Sequence, residues 1–209
     1  MSHPARSKTE RALVSFKGPP ELAPPVERVR GTVFSSSLQM VREEGLYETY
    51  LDALPNEYHA AIRSLIPTEW LSVDLAYAHY QALDVLGLPR EKIVAIGRSV
   101  GDRVQGSYIG TLVRGARTLG TITPFTVLER VDTLYARVMD GGEVACFQTG
   151  EKDARIDFAG LPLAELEYFR EGMNGIITAG VELTARKVFV ETRPGLYGPH
   201  SVSYRISFV

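Results

Sequence analysis

Residues 201–209 read Ser201-Val202-Ser203-Tyr204-Arg205-Ile206-Ser207-Phe208-Val209. Val202, Tyr204, Ile206 and Phe208 fall on one face, and Ser201, Ser203, Arg205 and Ser207 on the other. Successive side chains of an extended chain point to opposite faces, so this period of two predicts a half-buried strand. The same pattern predicts that the C-terminal end is tied into a sheet rather than frayed.

Working back from that strand, residues 184–192 read as a neighbouring strand, followed by the loop Arg193-Pro194-Gly195-Leu196-Tyr197-Gly198-Pro199. Residues 163–179 read as a helix, interrupted or kinked around Gly172 and Gly175. Before it, 143–149 and 154–159 pair as a hairpin around a turn at 150–153. Asp140-Gly141-Gly142 marks the change of period, and N-terminal to it nearly everything reads as helix. Helices are expected at 37–50 with a break at Gly45, and at 56–65 with Asn56 as N-cap. Further helices are expected at 72–86, stopped by Gly87 and Pro89, and from Arg90 toward Leu119. The last of the series is opened by Thr123-Pro124 and runs to Met139. The class that follows is α+β: an N-terminal helical bundle, then a small antiparallel sheet in the order β-β-α-β-β.

Residues 1–28 carry Pro4, Pro19, Pro20, Pro24 and Pro25 among scattered charges, and are expected as a flexible Pro-rich tail. Within it, Ala12-Leu13-Val14-Ser15-Phe16 offers a strand-like clip. Residues 29–209 are expected to form a single α+β domain; a chain of 209 residues can bury such a core without staples. The formal net charge is −2, and residues 1–30 hold six Lys and Arg against three Glu. The remainder holds 17 against 22, so the body presents no basic stripe for nucleic acid. Cys146 is the single cysteine, which excludes an intrachain disulfide. No apolar run reaches the ~18 residues of a spanning helix, and the first residues lack a secretory signal; a cytoplasmic protein is expected.

Chemistry-bearing constellations are scarce. The glycines of the long helical segment stand out: Gly97 and Gly101 are four apart, as are Gly106 and Gly110, so each pair shares one helix face. Such a face admits a close neighbour, either a ligand or a second subunit of a homo-oligomer; the plainer readings are tight helix packing within the chain or a break near Gly106. Arg98, Arg103, Arg114 and Arg117 share the segment and read as solvated or acid-paired charge rather than an anion site. His79 lies mid-helix beside Tyr77 and Tyr80. It reads first as a core histidine, with an axial haem ligand as the sharper alternative. Ten Tyr and eight Phe can line an apolar pocket. Trp70, Tyr77, His79, Tyr80 and Tyr108 are the candidate ligand contacts, against the plainer reading of aromatics as core. One cysteine and dispersed histidines cannot assemble a zinc site. There is no nucleophile elbow, and the acid pairs Glu43/Glu44 and Glu165/Glu167 read as solvated charge, so no catalytic residue is named.

Short stretches toward both ends of residues 29–209 carry a resemblance. Val29-Arg30-Gly31-Thr32-Val33-Phe34, then Glu44-Gly45 and Leu54-Pro55, open it. Leu134-Tyr135-Ala136-Arg137-Val138-Met139-Asp140-Gly141-Gly142 and the stretch Gly198 to Phe208 close it. Together they resemble an uncharacterised family of myxobacterial paralogues over residues 29–209. That family is similar to the group holding vinyl-reductase-type ligand-binding domains, haem-nitric-oxide-binding domains and Golgi-tethering subunits. The resemblance implies a helical layer on a small antiparallel sheet, often dimeric, holding a small hydrophobic or tetrapyrrole ligand, an acyl chain or a partner subunit. Relatives tend to place cysteine near the last strands where this chain has Val202, which argues against thiol or metal chemistry there. The haem-binding branch's Tyr-x-Ser-x-Arg signature is absent, which lowers the haem reading. The expectation is a non-enzymatic sensory or regulatory domain that binds a small molecule in an apolar pocket. A homo-oligomeric scaffold without ligand is the alternative.

Overall fold

A computed structural model describes residues 10–107 and 123–209, with the backbone alone at 101–107. Among the described residues the chain begins with β1 (Arg11–Val14), β2 (Arg28–Arg30), α1 (Thr32–Glu43), α2 (Tyr47–Ala53) and α3 (His59–Arg63). It continues through β3 (Trp70–Ser72), α4 (Val73–Val85), α5 (Arg90–Ser107), α6 (Pro124–Leu128) and α7 (Val131–Tyr135). The remainder is β4 (Met139–Asp140), β5 (Glu143–Gln148), β6 (Asp153–Ala159), α8 (Glu167–Glu182), β7 (Val188–Pro194) and β8 (Val202–Phe208).

The alternating C-terminal stretch is β8, an inner strand of a five-stranded antiparallel sheet ordered β1-β5-β6-β8-β7. Residues directly opposite in an antiparallel pair share a face. Register therefore stacks Val202 on Phe158, Tyr204 on Ile156 and Ile206 on Ala154, all buried against the helices. Ile156 in turn faces Cys146, and Phe158 faces Val144. The sheet's other side carries Asp157, Ser203, Arg155 and Arg205 in the same ladders. The Tyr204 hydroxyl reaches out of the apolar layer to donate to the Arg170 carbonyl at 3.0 Å. The fold class is α+β with antiparallel sheets, as the periodicities require.

Not every strand is late in the chain. β2 pairs antiparallel with both β3 and β4 in a second sheet of three strands, joined by Arg28 and Asp140 at 2.5 Å. These strands have three, three and two residues, too short for a period of two to register in the sequence. Part of the segment expected as a tail is built into the body. β1 pairs with β5, Glu10 meets Arg155 at 2.6 Å, and Val26 is fully buried.

The helical layer differs in detail from expectation. The first helix starts at Thr32 and breaks at Gly45, whose φ of 70° lies in the left-handed region that glycine enters without strain. Asn56 does not cap: Pro55 occupies that position and a short 3-10 turn precedes α3. Ser72 does cap α4, accepting from the Leu75 N–H at 3.3 Å. The single helix expected to Met139 is two short helices, α6 and α7, followed by β4. The last helix is an unbroken α8 in place of the kinked one, and β7 begins at Val188.

Candidate functional site

Two glycines bring α5 and α8 together, backbone against backbone. A Cβ on Gly97 would stand 2.0 Å from the Gly172 carbonyl oxygen, and one on Gly175 would stand 2.1 Å from that of Val94. The helices are further tied by Arg90 to Glu171 at 2.8 Å, and by Arg98, whose Nη1 donates to Glu182 at 3.1 Å. The N-terminus of α8 is held by α4. Its first N–H groups have no partner within the helix. The Asp84 carboxylate accepts from Tyr168 N at 2.6 Å and from Glu167 N at 3.1 Å.

Between these helices, α1, α6, α7 and the inner face of the sheet lies a cavity of about 140 Å³. Val100, Val127, Leu134, Phe158, Met173 and Ile177 typify its walls. Among the described residues its polar lining is Ser37, Tyr80, Tyr135 and Tyr168, and no ionisable acid, Lys, Arg or His lines it. Burial pushes the phenols of Tyr80, Tyr135 and Tyr168 well up, so all three stay protonated. Desolvation is the leading cause for each.

Directly behind Ser37 sits a closed polar chain. His79 is fully buried, with Nε2 2.9 Å from Ser37 Oγ and Nδ1 2.7 Å from the Tyr50 hydroxyl. Ser37 donates to the Phe34 carbonyl at 2.9 Å, so it accepts from the imidazole. That fixes the tautomer: Nε2 carries the proton and Nδ1 accepts from Tyr50, with every donor satisfied. Burial pulls the imidazole pKa down to about 3, and the ring is neutral. Phe34, Tyr80 and Tyr50 enclose it, with ring centroids at 4.7, 4.9 and 5.5 Å.

Of the expected ligand contacts, Tyr80 lines the cavity and the other described ones do not. His79 is the core histidine of the plainer reading, and both its nitrogens are engaged. Tyr77 points outward, its hydroxyl donating to Glu165 at 3.2 Å. Trp70 lies in the small sheet beneath the Arg30 guanidinium, 4.2 Å away. Tyr108 lies outside the described residues. Gly97 lines the cavity and packs within the chain on Gly172. Gly101 and Gly106 fall in the backbone of α5, and Gly110 lies outside the described residues. Sequence reasoning missed Tyr135 and Tyr168, each a single tyrosine in an ordinary helical pattern. A signal existed for one of them: the double glycine Gly141-Gly142 marks a place where something bulky approaches the backbone. That is the Tyr135 hydroxyl, 2.3 Å from where a Gly142 Cβ would stand.

Cys146 is buried, and burial pushes its thiol up to about 12, with the Asp157 charge adding to the effect. No group of three or more potential metal ligands occurs among the described residues. Nor is any helix among them long and apolar enough to cross a membrane.

The profile of a family described as protein of unknown function (DUF2378) matches residues 29–208. No curated protein matches the sequence. Among solved structures, the fold is similar to that of an H-NOX protein from K. algicida in its Fe(II) unliganded state. That match has 13% identity and a TM-score of 0.52, and covers 86% of this chain and 96% of that one. A point variant of the T. tengcongensis H-NOX is 13% identical with a TM-score of 0.54, covering 86% of this chain and 97% of its own. An H-NOX structure solved to probe the function of haem distortion in that family is 12% identical with a TM-score of 0.57. It covers 86% of this chain and 94% of that one.

Proposed function

The chain belongs to the DUF2378 family, and from that premise we propose that it is a sensory or regulatory domain holding a small, mainly apolar molecule inside its helical layer. One observation carries this reading: an apolar cavity of about 140 Å³ between α5, α8 and the sheet. A dry apolar cavity of roughly 150 Å³ is known to take benzene or xenon, so the volume suits a one-ring ligand. The H-NOX likeness supports the same layout, in which a helical layer meets an antiparallel sheet. A binding role is favoured over catalysis, because a thiol held near pKa 12 and buried neutral phenols supply no activated nucleophile. Kinship with vinyl-reductase-type domains belongs to this same reading.

The H-NOX neighbours raise haem, and this donor set does not fit it. Axial ligation needs a free ring nitrogen. Both nitrogens of His79 are hydrogen-bonded, and neither His59 nor His200 lines the cavity. No cation lines the cavity among the described residues to meet a propionate. The cavity is sized for one ring rather than a four-pyrrole macrocycle. The scaffold alternative places a subunit interface on the face from Gly97 to Gly110; of that face, Gly97 packs on α8 within the chain.

The test is thermal unfolding of the purified protein with isopropylbenzene and, separately, with hemin. At ligand about ten times a Kd of roughly 0.1 mM, binding stabilises by about 1.4 kcal/mol. That is a rise of about 3–6 °C for a chain of this size. No shift with isopropylbenzene overturns the reading, and a Soret band after hemin addition and desalting overturns the exclusion of haem.

A further inference from the structure

Gly97, Gly172 and Gly175 stand where α5 and α8 meet, and packing accounts for the first and the last. A Cβ on Gly97 or Gly175 would run into backbone of the other helix, at 2.0 and 2.1 Å. Gly172 differs. Its carbonyl is what Gly97 packs against, yet a Cβ on Gly172 itself would meet nothing within 4 Å outside its own turn of helix. It lies inside α8 with none of the positive φ that favours glycine, so its backbone does not require the residue either. Glycine inside a helix costs stability relative to alanine. A helix-interior glycine with room for a side chain therefore asks for a cause other than packing. Gly172 lines the cavity and, unlike the buried Gly97 and Gly175, keeps part of its surface open.

We infer that Gly172 reserves room in the cavity and sets the size limit of its guest, and that the guest is a compact hydrocarbon without a hydrogen-bonding group. This rests on the cavity being a ligand site, as proposed above. The hydrocarbon class follows from where the polar atoms of the wall are. The Ser37 hydroxyl is committed to the Phe34 carbonyl and to His79, and the Tyr80 hydroxyl donates to the Val33 carbonyl at 3.4 Å. The phenol oxygens of Tyr135 and Tyr168 are sealed in the packing, that of Tyr135 over Gly142 beside Val26. Among the described residues no charged side chain lines the cavity. A carbonyl, a hydroxyl or a charge carried in would give up its water for an apolar wall. The role of Gly172 follows from the open space beside its Cα. In a cavity of about 140 Å³, which suits one ring, a side chain growing from that position takes volume from the guest.

The test titrates benzene, isopropylbenzene and acetophenone into the full chain by calorimetry, with Gly172→Ala and Gly172→Leu beside the parent. In the parent, isopropylbenzene is expected to bind, and the near-isosteric acetophenone about tenfold more weakly, the cost of an unpaired carbonyl. In Gly172→Leu, isopropylbenzene should weaken about tenfold or more as the space fills. The smaller benzene should weaken less, a change of selectivity that altered stability alone does not produce. The empty protein supplies an independent reading. Gly172→Ala gains helix propensity without a clash, so its urea midpoint should rise by about 0.3–0.5 M. A lowered midpoint for Gly172→Ala assigns the glycine to packing and overturns the inference. Parental affinity for isopropylbenzene in both variants also overturns it, by turning the open side of Gly172 toward solvent. Acetophenone binding as tightly as isopropylbenzene overturns the hydrocarbon class. The cavity reading survives each of these results. If none of the three probes binds, the cavity reading itself falls and takes this inference with it.

Discussion

Gly97 and Gly172 meet across the α5–α8 contact with no side chain between them, and a Cβ on Gly97 would stand 2.0 Å from the Gly172 carbonyl oxygen. The obstacle is backbone, so a rotamer change cannot relieve it. Gly97→Ala must part the two helices or bend one of them. Overpacking of this kind costs about 1–3 kcal/mol. Urea unfolding of Gly97→Ala is expected to show that loss, with the same molar mass as the parent by light scattering. A variant that keeps its stability but falls to a smaller species would place this glycine between subunits instead.

The outer face of the sheet holds a different liability. Asp157 is wholly buried, and its carboxylate is met by Arg155 Nε at 3.0 Å and by the Tyr197 hydroxyl at 3.2 Å. Glu10 holds the other side of the guanidinium at 2.6 Å. Arg155→Met strands the Asp157 charge, and breaking a buried pair from one side costs about 3–5 kcal/mol. Replacing both, as Arg155→Met with Asp157→Val, removes the stranded charge and is expected to recover much of that loss. Glu10→Gln leaves Arg155 paired with Asp157, so it should cost less than Arg155→Met. A double variant no more stable than Arg155→Met alone would show that shape rather than charge governs this site.

The outer-face acid and the cavity differ sharply in how far the sequence announces them. The alternation at 201–209 names the face that packs on the helices, and Val202, Tyr204, Ile206 and Phe208 are all buried there. Gly45 and Gly87 mark helix ends because only their positive φ is needed, a local property. Gly172 and Gly175 carry the same residue type with a different meaning. They read as a kink, yet α8 is unbroken, and Gly175 makes room for the α5 backbone as Gly97 does for Gly172. Contact between distant segments leaves no periodic trace. The same holds for β2, β3 and β4, whose strand character comes from pairing across the chain. It holds for Tyr135 and Tyr168 too, which share a cavity only after α7 and α8 have packed.

Cys146 sits at 0% exposure opposite Ile156, inside the sheet's packed face. Its thiol, pushed up to about 12 by burial, holds almost no thiolate at pH 8, and the thiolate is the reactive form. Ellman's reagent at that pH should therefore label the native protein only as fast as the chain opens. Labelling should become immediate in urea beyond the unfolding transition. Full reaction of the native protein within seconds would contradict the burial of this residue.

His79 gives the protein a pH dependence with a defined sign. In the unfolded chain the imidazole takes a proton near pH 6.5. In the folded chain burial keeps it neutral down to about pH 3, with Tyr50 and Ser37 satisfying both nitrogens of the neutral ring. Between those values the unfolded state binds one proton that the folded state does not. Stability from this residue is thus complete above pH 6.5 and falls as the pH drops, by about 1.4 kcal/mol per unit. His79→Gln keeps polar atoms near Ser37 and Tyr50 and abolishes the titration. Although the variant is expected to be less stable at pH 7, its loss between pH 6 and pH 4 should be shallower than the parent's by about that slope. Urea midpoints at pH 7, 6, 5 and 4 measure the difference directly, and parallel profiles for the two proteins would mean that the imidazole is already protonated in the folded state.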